Sequence, residues 1–171
     1  MTHPSNKFIK DTILKLLSAI GSEKEINKYI EKFSSPEQRF AVIKVGGSVI
    51  DNDLENLISS LVFLNQVGLK PVILHGAGPM LSKALEEQKI DFSFIDGQRV
   101  TSVEVRDVAC SVFGETNKKI VNSLEAQGAN AKGVTSNVFE CIMDNADLGY
   151  VGSIQSVNYQ PVSYTHLTLP T

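Results

Sequence analysis

Two short runs of the same form constrain this chain more than anything else in it. Phe40-Ala41-Val42-Ile43-Lys44-Val45 ends in Gly46-Gly47-Ser48, and Pro71-Val72-Ile73-Leu74-His75 ends in Gly76-Ala77-Gly78-Pro79. A compact apolar run without alternation reads as a strand covered on both faces. After the first run, Leu54, Leu57, Ile58, Leu61, Val62 and Phe63 fall at helical spacing, with a stop near Gly68. After the second, Met80, Leu81, Ala84 and Leu85 do the same. The order strand, helix, strand, helix with short connections predicts right-handed crossovers and a parallel sheet with helices on both faces. The expected fold class is α/β, a three-layer αβα sandwich with a mainly parallel sheet, truncated.

The flanks read differently. Phe8, Ile9, Ile13, Leu16, Leu17 and Ile20 predict one amphipathic helix, and Ile26, Tyr29, Ile30 and Phe33 a second that opens with Ser22 and Glu25 as a capping box. Ser34-Ser35-Pro36 ends this extension, because proline turns the residue before it away from helix. Beyond the turn Asp96-Gly97, Thr101 and Glu104 form another capping-box pattern, and a long helix is expected to run to Gly128 with Gly114 as a candidate interruption. Ala131 to Thr135, Val138 to Met143 and Tyr150 to Ile154 read as short strands that could form an added hairpin. The last stretch, from Tyr159 to Thr171, carries no charge and no period, and resembles translated sequencing-adapter read-through. The expected division is a helical extension over 1–37, a main domain over 38–158 and a non-native tail over 159–171.

Composition narrows the partners. At 171 residues the chain is long enough for one domain with a core plus an appendage. A net charge of −3 offers no broad basic surface, so nucleic acid is disfavoured. Cys110 and Cys141 lack any ligand spacing and are expected to be small core residues in a reduced compartment. No apolar stretch approaches membrane-spanning length, and Met1 to Asn6 has no basic n-region. The expected location is the cytoplasm, with the mitochondrial matrix as alternative once a transit peptide has been removed.

The chemistry concentrates at the two glycine turns. Glycine lets backbone amides approach an anion, and a helix start adds partial positive charge. Either turn alone is a common junction of α/β proteins, but neighbouring parallel strands bring a pair to the same edge of the sheet, where such folds bind ligands. Neither GxGxxG nor GxxxxGK[ST] occurs, which disfavours a dinucleotide fold and a P-loop nucleotidase. Lys44 stands in an otherwise apolar strand, either with its stem packed and its ammonium in solvent or as a cation beside phosphoryl oxygens. Arg99 offers a planar fork for a carboxylate. His75 reads as a structural hydrogen-bonding residue, since no nucleophile or metal ligand is placed beside it in sequence.

Together, Ile43-Lys44-Val45-Gly46-Gly47, His75-Gly76-Ala77-Gly78-Pro79, Gly97-Gln98-Arg99-Val100-Thr101, Asn117-Lys118 and Leu148-Gly149-Tyr150-Val151-Gly152 resemble, in order and spacing, the signatures of acetylglutamate kinase in the amino-acid kinase family. The amino-terminal extension resembles the branch fused to an N-acetylglutamate synthase domain. The resemblance implies transfer of the γ-phosphate of ATP, with Mg2+ on the nucleotide, to the side-chain carboxylate of N-acetyl-L-glutamate in arginine biosynthesis. It implies Lys44 as the catalytic cation, Gly46, Gly47 and Gly78 as phosphate-binding, and Ala77, Gly78 and Arg99 as substrate-binding, with Arg99 on the α-carboxylate. Where this chain has Ala77 and Gln98 the family usually has Gly and Leu; alanine at 77 keeps its amide, provided that φ need not be positive.

The second catalytic lysine, the aspartate that orients the lysines and the nucleotide pocket belong to the family's carboxyl-terminal half and have no counterpart here, so the chain is expected to be inactive alone. Two other readings stand beside this one. The first is a regulatory module that senses L-arginine in an N-acetylglutamate synthase. The second is a kinase of the same fold acting on aspartate or glutamate. A homo-oligomer is expected of the parent protein.

Overall fold

The computed structural model describes residues 40–66, 70–143 and 145–160. The two expected amino-terminal helices and residues 161–171 of the expected tail lie outside the described residues. In chain order the elements are β1 (Phe40–Val45), α1 (Gly47–Asn52), α2 (Leu54–Gln66), β2 (Lys70–His75), α3 (Gly78–Glu87), β3 (Phe94–Ile95), β4 (Gln98–Arg99), α4 (Val103–Ala126), β5 (Phe139–Met143), a 3-10 turn (Ala146–Leu148) and β6 (Gly152–Val157). The described residues divide into two compact units, one drawn from 40–44 and 59–74, the other from 45–58 and 75–160.

In the first unit β1 and β2 are hydrogen-bonded neighbours. They form the expected parallel pair, whose crossover must run through helix rather than a tight turn. Within α2 the residues at i, i+3 and i+4, Ile58, Leu61 and Val62, form the buried stripe. The tight turn expected at Gly46-Gly47-Ser48 is sharper than that: α1 begins at Gly47 itself, with Gly46 as its extended N-cap.

In the second unit α3 packs against α4. Leu81, Leu85, Val105 and Val108 form the core, with Ala84, Ile90, Phe92, Ala109 and Val112 around it. Both helices earn these places by spacing: Leu81 and Leu85 lie one turn apart, and Val105, Val108, Thr116 and Ile120 continue one stripe along α4. Thr116 is the buried polar member, and its hydroxyl donates to the Val112 carbonyl at 2.7 Å.

α4 corrects three expectations. Gly114 does not interrupt it. Its N-cap is Ser102, not Thr101: Ser102 Oγ accepts from Val105 N at 3.3 Å. Thr101 is unavailable as a cap because its backbone is engaged elsewhere, its N–H donating to the Leu148 carbonyl and its own carbonyl accepting from Tyr150 N. Cys110 is exposed, since it lies two residues past Val108 and so on nearly the opposite side of the helix from the core stripe. The end comes where expected. Gly128, at φ +80, donates to the Glu125 carbonyl and Ala129 to that of Leu124, the paired bonds of a Schellman stop.

Two hairpins complete the unit. β3 and β4 pair antiparallel, Phe94 opposite Arg99 and Ile95 opposite Gln98, around Asp96 and Gly97 at φ 49 and 79. Two successive positive φ values match the twist of a tight hairpin. β5 and β6 form the added hairpin, Phe139 opposite Val157 and Met143 opposite Gly152. Cys141 lies in β5, where every residue is exposed, so the second cysteine is not a core residue either. Ala131 to Thr135 is not a strand. This stretch runs against α4 instead: a Cβ on Gly133 would collide with Asn117 Oδ1 and come within 3.3 Å of Val121 Cγ2.

Candidate functional site

The two glycine turns meet in the second unit. Gly76 N donates to the Val45 carbonyl at 2.9 Å, which brings the residues after β1 and after β2 together. A Cβ on Gly47 would lie 2.8 Å from Pro79 Cδ, 3.0 Å from Gly78 N and 3.2 Å from the Ala77 carbonyl carbon. Only hydrogen fits there. Around Gly78, in contrast, an added Cβ would meet nothing within 4 Å, and the residue is exposed.

Neither helix that starts here has a side-chain cap. Gly46 and Ala77 are the N-caps of α1 and α3, and neither offers an acceptor. The first amide that each N-cap carbonyl accepts from a backbone donor is Val49 N for Gly46 and Leu81 N for Ala77. Amides ahead of those, including Gly47 and Gly78, have no backbone acceptor within the helix. Pro79 in the first turn of α3 has no N–H to satisfy. The cluster can therefore offer N–H groups to an anion beside Gly78.

Ala77 is fully buried at φ −140 and ψ 25. Its φ is negative, so the alanine costs no left-handed strain, and the condition set by the sequence is met.

Arg99 leaves β4 toward α3. Its Nη2 donates to Ser82 Oγ at 2.7 Å. Its guanidinium carbon stands 4.3 Å from the Phe92 ring centre and 4.7 Å from that of Phe94, while Nη1 is buried without a hydrogen-bond partner. Burial lowers the Arg99 pKa from its ordinary value, yet a guanidinium stays cationic at any pH a folded protein meets. Since Ser82 is four residues after Gly78 in α3, the hydroxyl that holds Arg99 lies one helical turn along from the residue that starts the helix.

His75 is paired at one ring nitrogen, and its Nδ1 is buried without a hydrogen-bond partner. Its Nε2 lies 3.2 Å from Asn117 Nδ2 on α4, and its ring stacks on Phe113 with centres 6.3 Å apart. Asn117 was visible only as part of a motif; its pairing with His75, like that of Arg99 with Ser82, joins residues far apart in sequence. Lys44, in the first unit, is the fifth residue of β1 and its side chain is exposed, so it bears none of the burial cost that an apolar strand suggests.

A family model described as the amino acid kinase family matches residues 39–165. The chain belongs to that family. Within it, the chain is similar to Protein arg11, mitochondrial, of Schizosaccharomyces pombe, 44% identical over 158 residues that cover 91% of this chain and 18% of that protein. It is also similar to Acetylglutamate kinase of Xanthomonas campestris, 44% identical over 145 residues, 84% of this chain and 34% of that protein. Among solved structures it resembles N-acetylglutamate synthase from Neisseria gonorrhoeae complexed with coenzyme A and N-acetyl-glutamate, with TM-score 0.63 and 19% identity over 85% of this chain and 35% of that one. At that identity the likeness concerns the fold. The amino acid kinase chain described here thus spans well under half of each of these relatives, and the α/β class holds for it, with β1 and β2 as the parallel sheet and two antiparallel hairpins beside it.

Proposed function

We propose that this chain is the substrate-binding part of an acetylglutamate kinase, whose whole form transfers the γ-phosphate of ATP to the side-chain carboxylate of N-acetyl-L-glutamate. One observation carries the reading: the Arg99 guanidinium is tied to Ser82, one turn along α3 from Gly78, the exposed residue that starts the helix without a side-chain cap. A guanidinium and uncapped helix-start amides associated with one helix suit a substrate that carries a carboxylate at each end.

The chemistry follows from the groups. A side-chain carboxylate is ionised near neutral pH, so its oxygen attacks phosphorus without a general base. Catalysis then consists of alignment and of charges facing the transferring phosphoryl group. In this reading the amides of Gly46, Gly47 and Gly78 hold phosphoryl oxygens, Ala77 and Gly78 line the substrate, Arg99 takes its α-carboxylate, and Lys44 is the catalytic cation for the phosphoryl group. Among the described residues no group of three or more His, Cys, Asp or Glu could hold a metal ion. Mg2+ in this reading enters with the nucleotide as part of the co-substrate.

The nucleotide pocket belongs, in this reading, to the part of the longer relatives that the chain does not span. The parent is a homo-oligomer of the cytoplasm or the mitochondrial matrix, with L-arginine as effector, and residues 1–37, 38–158 and 159–171 are extension, domain part and non-native tail. A regulatory arginine sensor is less favoured, because the Xanthomonas relative at 44% identity carries the name acetylglutamate kinase.

Calorimetric titration of the 171-residue chain with N-acetylglutamate, glutamate, arginine and Mg-ATP tests the proposal. N-acetylglutamate binding that disappears in Arg99→Ala, without Mg-ATP binding, is the expected result. Binding of arginine alone would move the assignment to a sensor, and a folded chain that binds none of the four would overturn it.

A further inference from the structure

A part-buried guanidinium with one nitrogen buried and unpaired is held at a cost, and the residues holding it are identifiable. Arg99 Nη1 is buried without a partner. Nothing in β4 enforces this, since β4 is two residues long and Arg99 is opposite Phe94 across the hairpin. The side chain is held instead by three contacts: Phe92 and Phe94, whose rings meet edge to face at 6.0 Å, and the Ser82 hydroxyl at 2.7 Å. The rings restrain the plane of the guanidinium but not its rotation within that plane. The hydrogen bond from Nη2 fixes the rotation.

We propose that Ser82 is a positioning residue for Arg99: by accepting from Nη2 it fixes the in-plane orientation of the guanidinium and keeps Nη1 without a protein partner, so that a substrate carboxylate is the acceptor it lacks. The inference rests on the function proposed above and assigns the geometry of its carboxylate grip to a residue outside every motif of the sequence. Hydroxyl acceptors suit the task. An acidic residue at position 82 would satisfy Arg99 as an ion pair and compete with the substrate, whereas a neutral oxygen leaves the cation's charge unspent. Ser82 is also on the helix that Gly78 starts, so any movement of α3 carries the phosphate amide and the carboxylate grip together.

The test compares the wild-type chain with Ser82→Ala, Ser82→Thr, Arg99→Ala and the Ser82→Ala/Arg99→Ala double variant, by calorimetry with N-acetylglutamate and by NMR of the Arg99 guanidinium. Ser82→Ala is expected to weaken N-acetylglutamate binding about 10- to 100-fold, in line with one lost hydrogen bond to a charged group. Ser82→Thr should restore most of it, and in the Arg99→Ala background Ser82→Ala should have no further effect. Separate Nη signals of Arg99, slowed in rotation, are expected in the wild type and Ser82→Thr but merged in Ser82→Ala; a merely structural serine would leave them unchanged.

Unchanged or tighter binding by Ser82→Ala, or Nη signals insensitive to it, overturns the inference while wild-type binding leaves the proposed function standing. A wild type that shows the Nη pattern but binds no N-acetylglutamate overturns the substrate reading, and with it the carboxylate role of the pair.

Discussion

Gly47 and Pro79 stand so close that a single added carbon on Gly47 would lie 2.8 Å from the Pro79 ring. The contact locks the first residue of α1 against the first turn of α3. It also separates two glycines that look equivalent in sequence. Gly47→Ala is expected to destabilise the chain by about 1–3 kcal/mol, the usual range for overpacking against backbone that cannot yield. Gly78→Ala adds its methyl to open space and is expected to stay within about 0.5 kcal/mol of the wild type. Urea unfolding curves distinguish the two, and calorimetry should find N-acetylglutamate binding weakened in Gly78→Ala despite its intact stability.

Gly149 carries a different constraint. It lies at φ +67, and a Cβ there would run into the Thr101 carbonyl oxygen. That carbonyl accepts from Tyr150 N at 2.8 Å, and Thr101 N donates to the Leu148 carbonyl at 2.9 Å. Gly149→Ala is therefore expected to lose about 2–4 kcal/mol from strain and collision together. Amide exchange supplies the check: protection at Thr101 and Tyr150 should fall well before that of α4.

The start of α4 makes stability depend on acid. Ser102 Oγ donates to Glu104 Oε2 at 2.7 Å, and this bond, followed by a backbone hydrogen bond, holds the Glu104 pKa below its ordinary 4.5 against opposing effects of burial and Asp107. A carboxyl lowered on folding stabilises the fold above its unfolded pKa, and the contribution is lost as pH falls from there through the lowered folded value. Carboxyl-carbon NMR titration should find Glu104 below 4.5. Ser102→Ala should raise it and flatten the acid side of the stability profile.

Cys110 and Cys141 are both free and exposed. Each should react with a thiol reagent in the folded chain without denaturant, giving two titrated thiols, and Cys110→Ser should remove one of them without changing the melting curve. A value of zero in the absence of denaturant would contradict the exposed placement on α4 and β5.

Sequence pattern identifies the elements that bury a continuous stripe. α2, α3 and α4 are legible because each repeats its apolar residues at the helical period, and β1 and β2 because each is a short apolar run that ends in a glycine turn. The N-cap is misread by one residue because Thr101 and Ser102 are equally good acceptors locally, and only the backbone pairing of Thr101 with Leu148 and Tyr150 decides between them. The same limit explains Ala131 to Thr135, where Gly133 lies against Asn117 and Val121 of α4 and no ladder forms. Of the candidate site, the glycine turns and Arg99 are legible as local chemistry. Ser82 and the His75–Asn117 pair are not, since separations of 17 and 42 residues are closed by the fold alone.

Ala77 has a further consequence. Its methyl is fully buried while its backbone keeps a negative φ, in the middle of a turn whose neighbours at 47 and 78 are governed by collision and by openness. Position 77 is therefore where a loop of this kind can acquire a side chain inwards, as packing rather than as obstruction. A turn that looks like a degraded glycine motif is, at this residue, better filled than the all-glycine version, and Ala77→Gly would leave a methyl-sized gap and a looser unfolded chain in exchange for no gain in reach.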